Sequence, residues 1–164
     1  MSDDEVTKDE LLNRLAKYTE EDLEMALRAA DAQKRTREEG LYFLHYLLGE
    51  DRMNADAKEA SIVLPIRPMV MNPVNMVHGG ITALLCDNVM GMASYMSAKR
   101  PGVTLDLSVR YHLPGRGNQL TARGEVVHAG GQVNSTRCEV RDDVGRLVAT
   151  ATGSFYHKST SSRK

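Results

Sequence analysis

The spacing of apolar side chains along this chain changes period once. Up to about residue 57 they recur every three to four positions: Leu11, Leu12 and Leu15, then Leu23, Ala26, Leu27 and Ala30, form helical stripes. Thr7-Lys8-Asp9-Glu10 and Thr19-Glu20-Glu21-Asp22 each fit a capping box, in which a threonine and an acid three residues on satisfy each other's free amides. Residues 41–48 are strongly apolar and stop at Gly49, a residue suited to a helix C-terminus. Helix is therefore expected from residue 1 to about 57. From Glu59 the period becomes two. Ala60, Ile62, Leu64 and Ile66 alternate with polar or small neighbours, and Pro65, which cannot donate to a ladder, marks an edge strand. Val103, Leu105, Leu107, Val109 and Tyr111 alternate with Thr104, Asp106, Ser108, Arg110 and His112, a half-buried strand with Thr104 facing outward. Leu120, Ala122, Gly124 and Val126 set the face of a third strand, and Thr136, Cys138 and Val140 that of a fourth. Leu147, Ala149, Ala151, Gly153 and Phe155 set the last.

One segment fits neither period. Residues 81–96 are apolar nearly all round, so their helix should be buried on all sides. The inward faces of the late strands are small at Ala122, Gly124, Ala149, Ala151 and Gly153, which lets a curved sheet approach a helix closely. The expected fold is α+β: an antiparallel five-stranded sheet wrapped around one central helix, in the order strand, helix, four strands, with an N-terminal helical extension. Residues 1–40 form that extension, 41–157 the main domain and 158–164 a polar, disordered tail. The extension is expected to cover a sheet edge or lengthen a dimer contact. The sharper alternative is a lid over a pocket.

Composition narrows the function classes. The chain has 164 residues, enough for one domain with a real core, and a net charge of −1, which gives no basic surface for nucleic acid or an acidic membrane. Cys86 and Cys138 lie in apolar surroundings and read as buried reduced thiols. The start, Met1-Ser2-Asp3-Asp4-Glu5, is acidic and unlike a signal peptide, and the apolar run at 81–96 is interrupted and short for a membrane span. A soluble cytoplasmic protein is expected. No two of the five histidines have helical ligand spacing, so no metal is assigned.

The chemistry concentrates at Asn72-Pro73-Val74-Asn75-Met76-Val77-His78-Gly79-Gly80 and at Asp87 in the helix that follows. Gly79 and Gly80 place free amides at a helix start, where the dipole is positive and a ligand can approach the backbone. That suits an anion or an oxyanion formed from a carbonyl. The plainer reading is a pair of glycines permitting a sharp turn. A carboxylate in an apolar helix is costly and must neutralise or find partners. Asp87 is thus either a functional acid or one capped by Asn88 or Thr82. His78, Asn72 and Thr104 are each ambiguous alone. Asp87 lies nine positions after His78, roughly 12 to 14 Å of helix rise. If both act on one atom, they come from different subunits, and the site implies a dimer. The six methionines from Met69 to Met96 read as core filler or soft pocket lining.

On these residues the chain resembles the hotdog-fold acyl-CoA thioesterases of the PaaI-like (phenylacetic-acid-pathway) group. Their turn, Asn-Pro-x-Gly-x-x-His-Gly-Gly, is matched by residues 72–80. The buried helix with an acid follows at Thr82-Ala83-Leu84-Leu85-Cys86-Asp87-Asn88, then the strand Gly102-Val103-Thr104-Leu105-Asp106 through Pro114. The resemblance spans about residues 41–156. It implies hydrolysis of an acyl-CoA thioester at a dimer interface, with no cofactor beyond the CoA of the substrate. Asp87 would be general base or nucleophile, and the Gly79 amide would polarise the carbonyl. His78 and Asn72 of the other subunit would position thioester and water, and Thr104 would orient water beside Asp87. Gly80, Asn88, Gly130 and Gly131 are the implied substrate and CoA contacts. The strand of Thr104 would pair across a homodimer, itself part of a homotetramer. Two positions depart from the pattern. Asn75 stands for the usual glycine, though asparagine tolerates positive φ. Gln132 replaces a basic residue after Gly130-Gly131. A non-catalytic acyl-CoA sensor and an enoyl-CoA hydratase on the same fold are the competing functions.

Overall fold

Both capping boxes form. In the computed structural model, which describes residues 6–49, 53–57 and 59–158, Thr7 accepts the Glu10 amide and Glu10 accepts that of Thr7, opening α1 (Lys8–Leu15). Thr19 and Asp22 do the same for α2 (Glu20–Glu39), which ends on Gly40 at φ 83°. The short α3 (Phe43–Leu48) is followed by Gly49 at φ 75°. The acidic start, residues 50–52 and the expected disordered tail beyond Lys158 lie outside the described residues. The chain divides into two units, Met1–Leu47 and Leu48–Lys164. Within the first, the Arg35 guanidinium stacks over the Tyr46 ring at 4.2 Å.

The second unit is a six-stranded antiparallel sheet around one long helix. The strands are β1 (Asn54–Ala55), β2 (Glu59–Pro65), β3 (Gly102–Tyr111), β4 (Gln119–Ala129), β5 (Val133–Asp142) and β6 (Leu147–His157), in the order β1-β2-β4-β5-β6-β3. The helix, α4 (Gly79–Ala98), packs against β2 through β6. All five expected strands are present. The sixth, β1, corrects the expectation of helix to residue 57. Asn54 and Ala55 pair with Ser61 and Ala60 because Asp56 caps a tight turn, its carboxylate accepting the Glu59 amide. Among the described residues β2 has no further partner on that side, and Pro65 sits at its far end, where no donor is needed.

Small residues let helix and sheet meet. A Cβ on Gly124 would stand 3.0 Å from the Met90 nitrogen and 3.1 Å from the Val89 carbonyl carbon, so β4 lies directly on the helix backbone. The buried core gathers there: Ile62, Leu64, Leu85, Val89, Met90 and Leu120 have essentially no exposure. Cys86 and Cys138 are free thiols in this core. Contact with the Cys86 thiol, then burial, pushes the Cys138 thiol far above its ordinary value.

Two expectations need correcting here. α4 is not buried on all sides: the stripe Thr82, Leu85, Cys86, Val89, Met90, Ala93 and Ser94 is covered, while Leu84, Asp87, Asn88 and Met92 are half-buried and Tyr95 is exposed. A single curved sheet covers one side of a helix. Nor does β3 alternate cleanly. Its register with β6 shifts between Thr104 and Asp106, leaving Leu105 as a bulge. Thr104 therefore opposes the buried Phe155 and faces the helix, as do Leu107, Val109 and Tyr111 opposite Gly153, Ala151 and Ala149.

Candidate active site

The turn at residues 72–78 is built by one side chain. The Asn72 Oδ1 accepts the amides of Val74 and Met76, each at 3.1 Å, and the Asn72 amide donates to the Met76 carbonyl at 2.8 Å. Asn75 closes the turn at φ 55°, a left-handed conformation that asparagine tolerates better than most residues. The loop then joins the fold through His78, whose amide donates to Val70, and Val77, whose amide donates to Gly115. With its oxygen accepting two amides, the remaining polar group of the Asn72 side chain is its Nδ2 donor.

His78 is the N-cap of α4. Its Nδ1 accepts the Gly80 amide at 3.0 Å, which puts the proton of the neutral ring on Nε2. The Ile81 and Thr82 amides both donate to the His78 carbonyl. Of the first-turn amides only that of Gly79 has no acceptor among the described residues. It is an open donor at the positive end of a 20-residue helix. The Gly80 amide, one of the two donors expected, is already engaged by His78.

Beside Gly79 lies a cavity of 350 Å³, lined by Asn72, Met76, Gly79, Thr82, Tyr111 and Val148 among others. The Tyr111 hydroxyl donates to the Gly79 carbonyl at 2.7 Å. Partial burial, then the neighbouring Cys86, raises the Tyr111 phenol above its usual value, so it stays a protonated donor. Nothing in the spacing singled out Tyr111. The available signal was a hydroxyl-bearing aromatic closing the inward face of the strand that also carries Thr104.

Asp87 stands eight positions along α4 from Gly79, about 12 Å of rise. It is half-buried, and the Thr104 hydroxyl donates to its Oδ1 at 2.9 Å. The bulge at Leu105 makes this bond, since without it Thr104 would face away. Asn88 follows on the same half-buried side. Gly130 and Gly131 belong to the β4–β5 hairpin, where a Cβ on Gly130 would collide with the Val133 carbonyl. Register places this hairpin at the end of the sheet where β3 begins, and Gly79 at the other end beside Tyr111. Arg100, just past α4, holds the hairpin by donating to the Gly131 carbonyl. This is a basic residue at the hairpin that Gln132 is not.

Within one chain, then, Asn72, His78, Gly79 and Gly80 come together with Tyr111, and Asp87 comes together with Thr104. The two groups stay apart. No cluster of three or more His, Cys, Asp or Glu able to hold a metal occurs among the described residues, and no helix among them is long and apolar enough to cross a membrane.

Residues 74–149 match the thioesterase superfamily. The BH2602 protein from Bacillus halodurans, whose crystal structure is with CoA, superposes with a TM-score of 0.77 at 32% identity, covering 90% of this chain and 99% of that one. The medium/long-chain acyl-CoA thioesterase YigI of Salmonella typhimurium is 27% identical over 79% of this chain and 96% of its own length. Human acyl-coenzyme A thioesterase 13 is 30% identical over 48% of this chain and 58% of its own length. By its sheet wrapped on a central helix, its histidine-capped turn and these likenesses, the chain belongs to the thioesterase superfamily, within the hotdog fold.

Proposed function

We propose that this protein hydrolyses an acyl-CoA thioester to the free acid and CoA, at a site completed by a second copy of the chain. The observation that carries the reading is the open amide of Gly79, a residue lining a largely apolar cavity, in a chain whose only acid on that helix is held by Thr104 some 12 Å away. The thioesterase relatives and the CoA-bound neighbour support the substrate class.

In this reading the thioester carbonyl lies on the Gly79 amide. The Nε2–H of His78 and the Nδ2 of Asn72 orient the group. Asp87 of the other copy, steadied by Thr104, takes a proton from water as that water adds to the carbonyl. The Gly79 amide and the helix start stabilise the oxyanion. Collapse breaks the carbon–sulfur bond, and the proton passes to the departing CoA thiolate. The alternative for Asp87 is direct attack, forming an anhydride that water then opens. The acyl chain would occupy the cavity beside Met76 and Val148.

The second copy is argued from β3. Among the described residues this ten-residue strand has one neighbour, β6, and it exposes Val103, Leu105, Leu107 and Tyr111. A long apolar free edge is a template for another strand. Pairing of β3 with its counterpart would bring two helices, and two half-sites, alongside each other. A homotetramer built from such dimers, the PaaI-like subgroup and a cytoplasmic location complete the reading.

The test is thiol release from a panel of acyl-CoAs. Wild type should release CoA, and Asp87→Asn should lose roughly 10²-fold or more in kcat. Tight acyl-CoA binding without turnover would instead make the protein a sensor. Loss of enone absorbance without free thiol would make it a hydratase.

A further inference from the structure

Two consecutive glycines at a helix start are the least constrained backbone a chain can offer. An oxyanion donor needs the opposite, a place held within about 0.5 Å and 10–20°. Something outside the sequence Gly79-Gly80 has to supply the restraint. The peptide unit joining the two residues is gripped at both ends. Its carbonyl, that of Gly79, accepts the Tyr111 hydroxyl at 2.7 Å. Its N–H, that of Gly80, donates to the His78 Nδ1 at 3.0 Å. The two grips come from different elements, one from the last residue of β3 and the other from the helix cap. The Tyr111 ring also packs against Gly79, its hydroxyl lying 3.4 Å from where a Cβ on that glycine would be.

We propose that Tyr111 is a positioning residue for the thioester carbonyl: by holding the Gly79–Gly80 peptide unit it fixes the direction of the open Gly79 amide and keeps the Gly80 amide on the His78 imidazole. This rests on the hydrolase reading above and adds a residue to it. The effect on His78 is specific. As long as Gly80 donates to Nδ1, the ring proton stays on Nε2 and His78 can donate to the substrate. If the peptide unit tips, Nδ1 is released, both tautomers become available and the Nε2 donor is lost part of the time. Tyr111 thus acts on two donors at once, through one hydrogen bond. It also explains why one strand carries both Thr104 and Tyr111: the bulge at Leu105 lets both ends of β3 face α4, one holding Asp87 and the other the helix start.

The variant is Tyr111→Phe, which removes the hydroxyl and keeps the ring. The expected result is kcat lowered about fivefold to tenfold with KM for acyl-CoA within about twofold, as for loss of one hydrogen bond felt only as the carbonyl becomes an oxyanion. Melting temperature should stay unchanged, whereas a merely structural tyrosine would lower it and leave kcat per folded molecule intact. Imidazole ¹⁵N spectra give a readout independent of turnover. The neutral His78 ring should be a single Nε2–H tautomer in wild type and a mixture in Tyr111→Phe. Unchanged kcat, or an unchanged His78 tautomer in the variant, overturns the proposal. The failures are distinguishable. If wild type releases no thiol, the hydrolase reading falls and the spectra still test the grip on His78. If wild type is active, Asp87→Asn is dead and Tyr111→Phe is as fast as wild type, only the role of Tyr111 falls.

Discussion

β5 and β3 are both ten-residue strands of the same sheet, yet they end up differently. In β5 the burial alternates without a break, from exposed Val133 and buried Asn134 to exposed Arg141 and buried Asp142. In β3 every residue is exposed except Val109, which is half-buried. β5 lies between β4 and β6 with α4 over one face, whereas β3 has β6 on one side and nothing on the other among the described residues. The period of a sequence reports that a strand forms and which way its side chains point. It does not report whether the strand's surroundings are complete. β3 is also the strand that reaches the proposed site, through Thr104 on Asp87 at one end and Tyr111 on Gly79 at the other. In the proposed reading β5 is scaffold and β3 is a working edge.

That contrast can be broken from the β3 side first. Placing lysines at Val103 and Leu105, both well exposed, should block strand pairing through charge at the edge. The double variant should fold, fall to monomer mass in light scattering and lose roughly 10²-fold in kcat, because half-sites that do not meet lose their mutual positioning. A monomer with wild-type turnover would end the two-copy account. Next in size is Thr104→Ala. It should lower kcat about tenfold, the worth of one hydrogen bond to a carboxylate, with melting temperature kept. The matching change on the scaffold strand is Val140→Ala, at a site with no exposure. It should cost about 2 kcal/mol of stability through the cavity left behind. Turnover per folded molecule should be wild type. If Val140→Ala cut kcat while Thr104→Ala cut only stability, the division between scaffold and working edge would be inverted.

Much of this was legible in the sequence because it depends on neighbours along the chain. Both capping boxes, the helix end at Gly49, and Asn75 in a left-handed turn need only a few consecutive residues. The small inward residues of β4 and β6 also announced the close approach that Gly124 makes to Met90. What escaped depends on partners distant in the chain. The bulge at Leu105 is set by pairing with β6, and it turned Thr104 from an outward hydroxyl into the partner of Asp87. β1 exists only because Ser61 and Ala60 are there to pair with it. The spacing predicted two open amides at the helix start, but the His78 ring folds back on one of them and leaves Gly79 alone. Tyr111 looked like one more apolar position until its hydroxyl was found on the Gly79 carbonyl.

The claim that one active site takes Gly79 from one chain and Asp87 from another has a direct test in subunit complementation. Asp87→Asn and Gly79→Val should each be nearly inactive alone. In a heterodimer of the two, isolated through separate affinity tags, one of the two sites would regain an intact Gly79 and an intact Asp87. Thiol release should then return to about half the wild-type rate per dimer. A purified heterodimer as inactive as its parents would place Gly79 and Asp87 in the same chain's site and contradict the account.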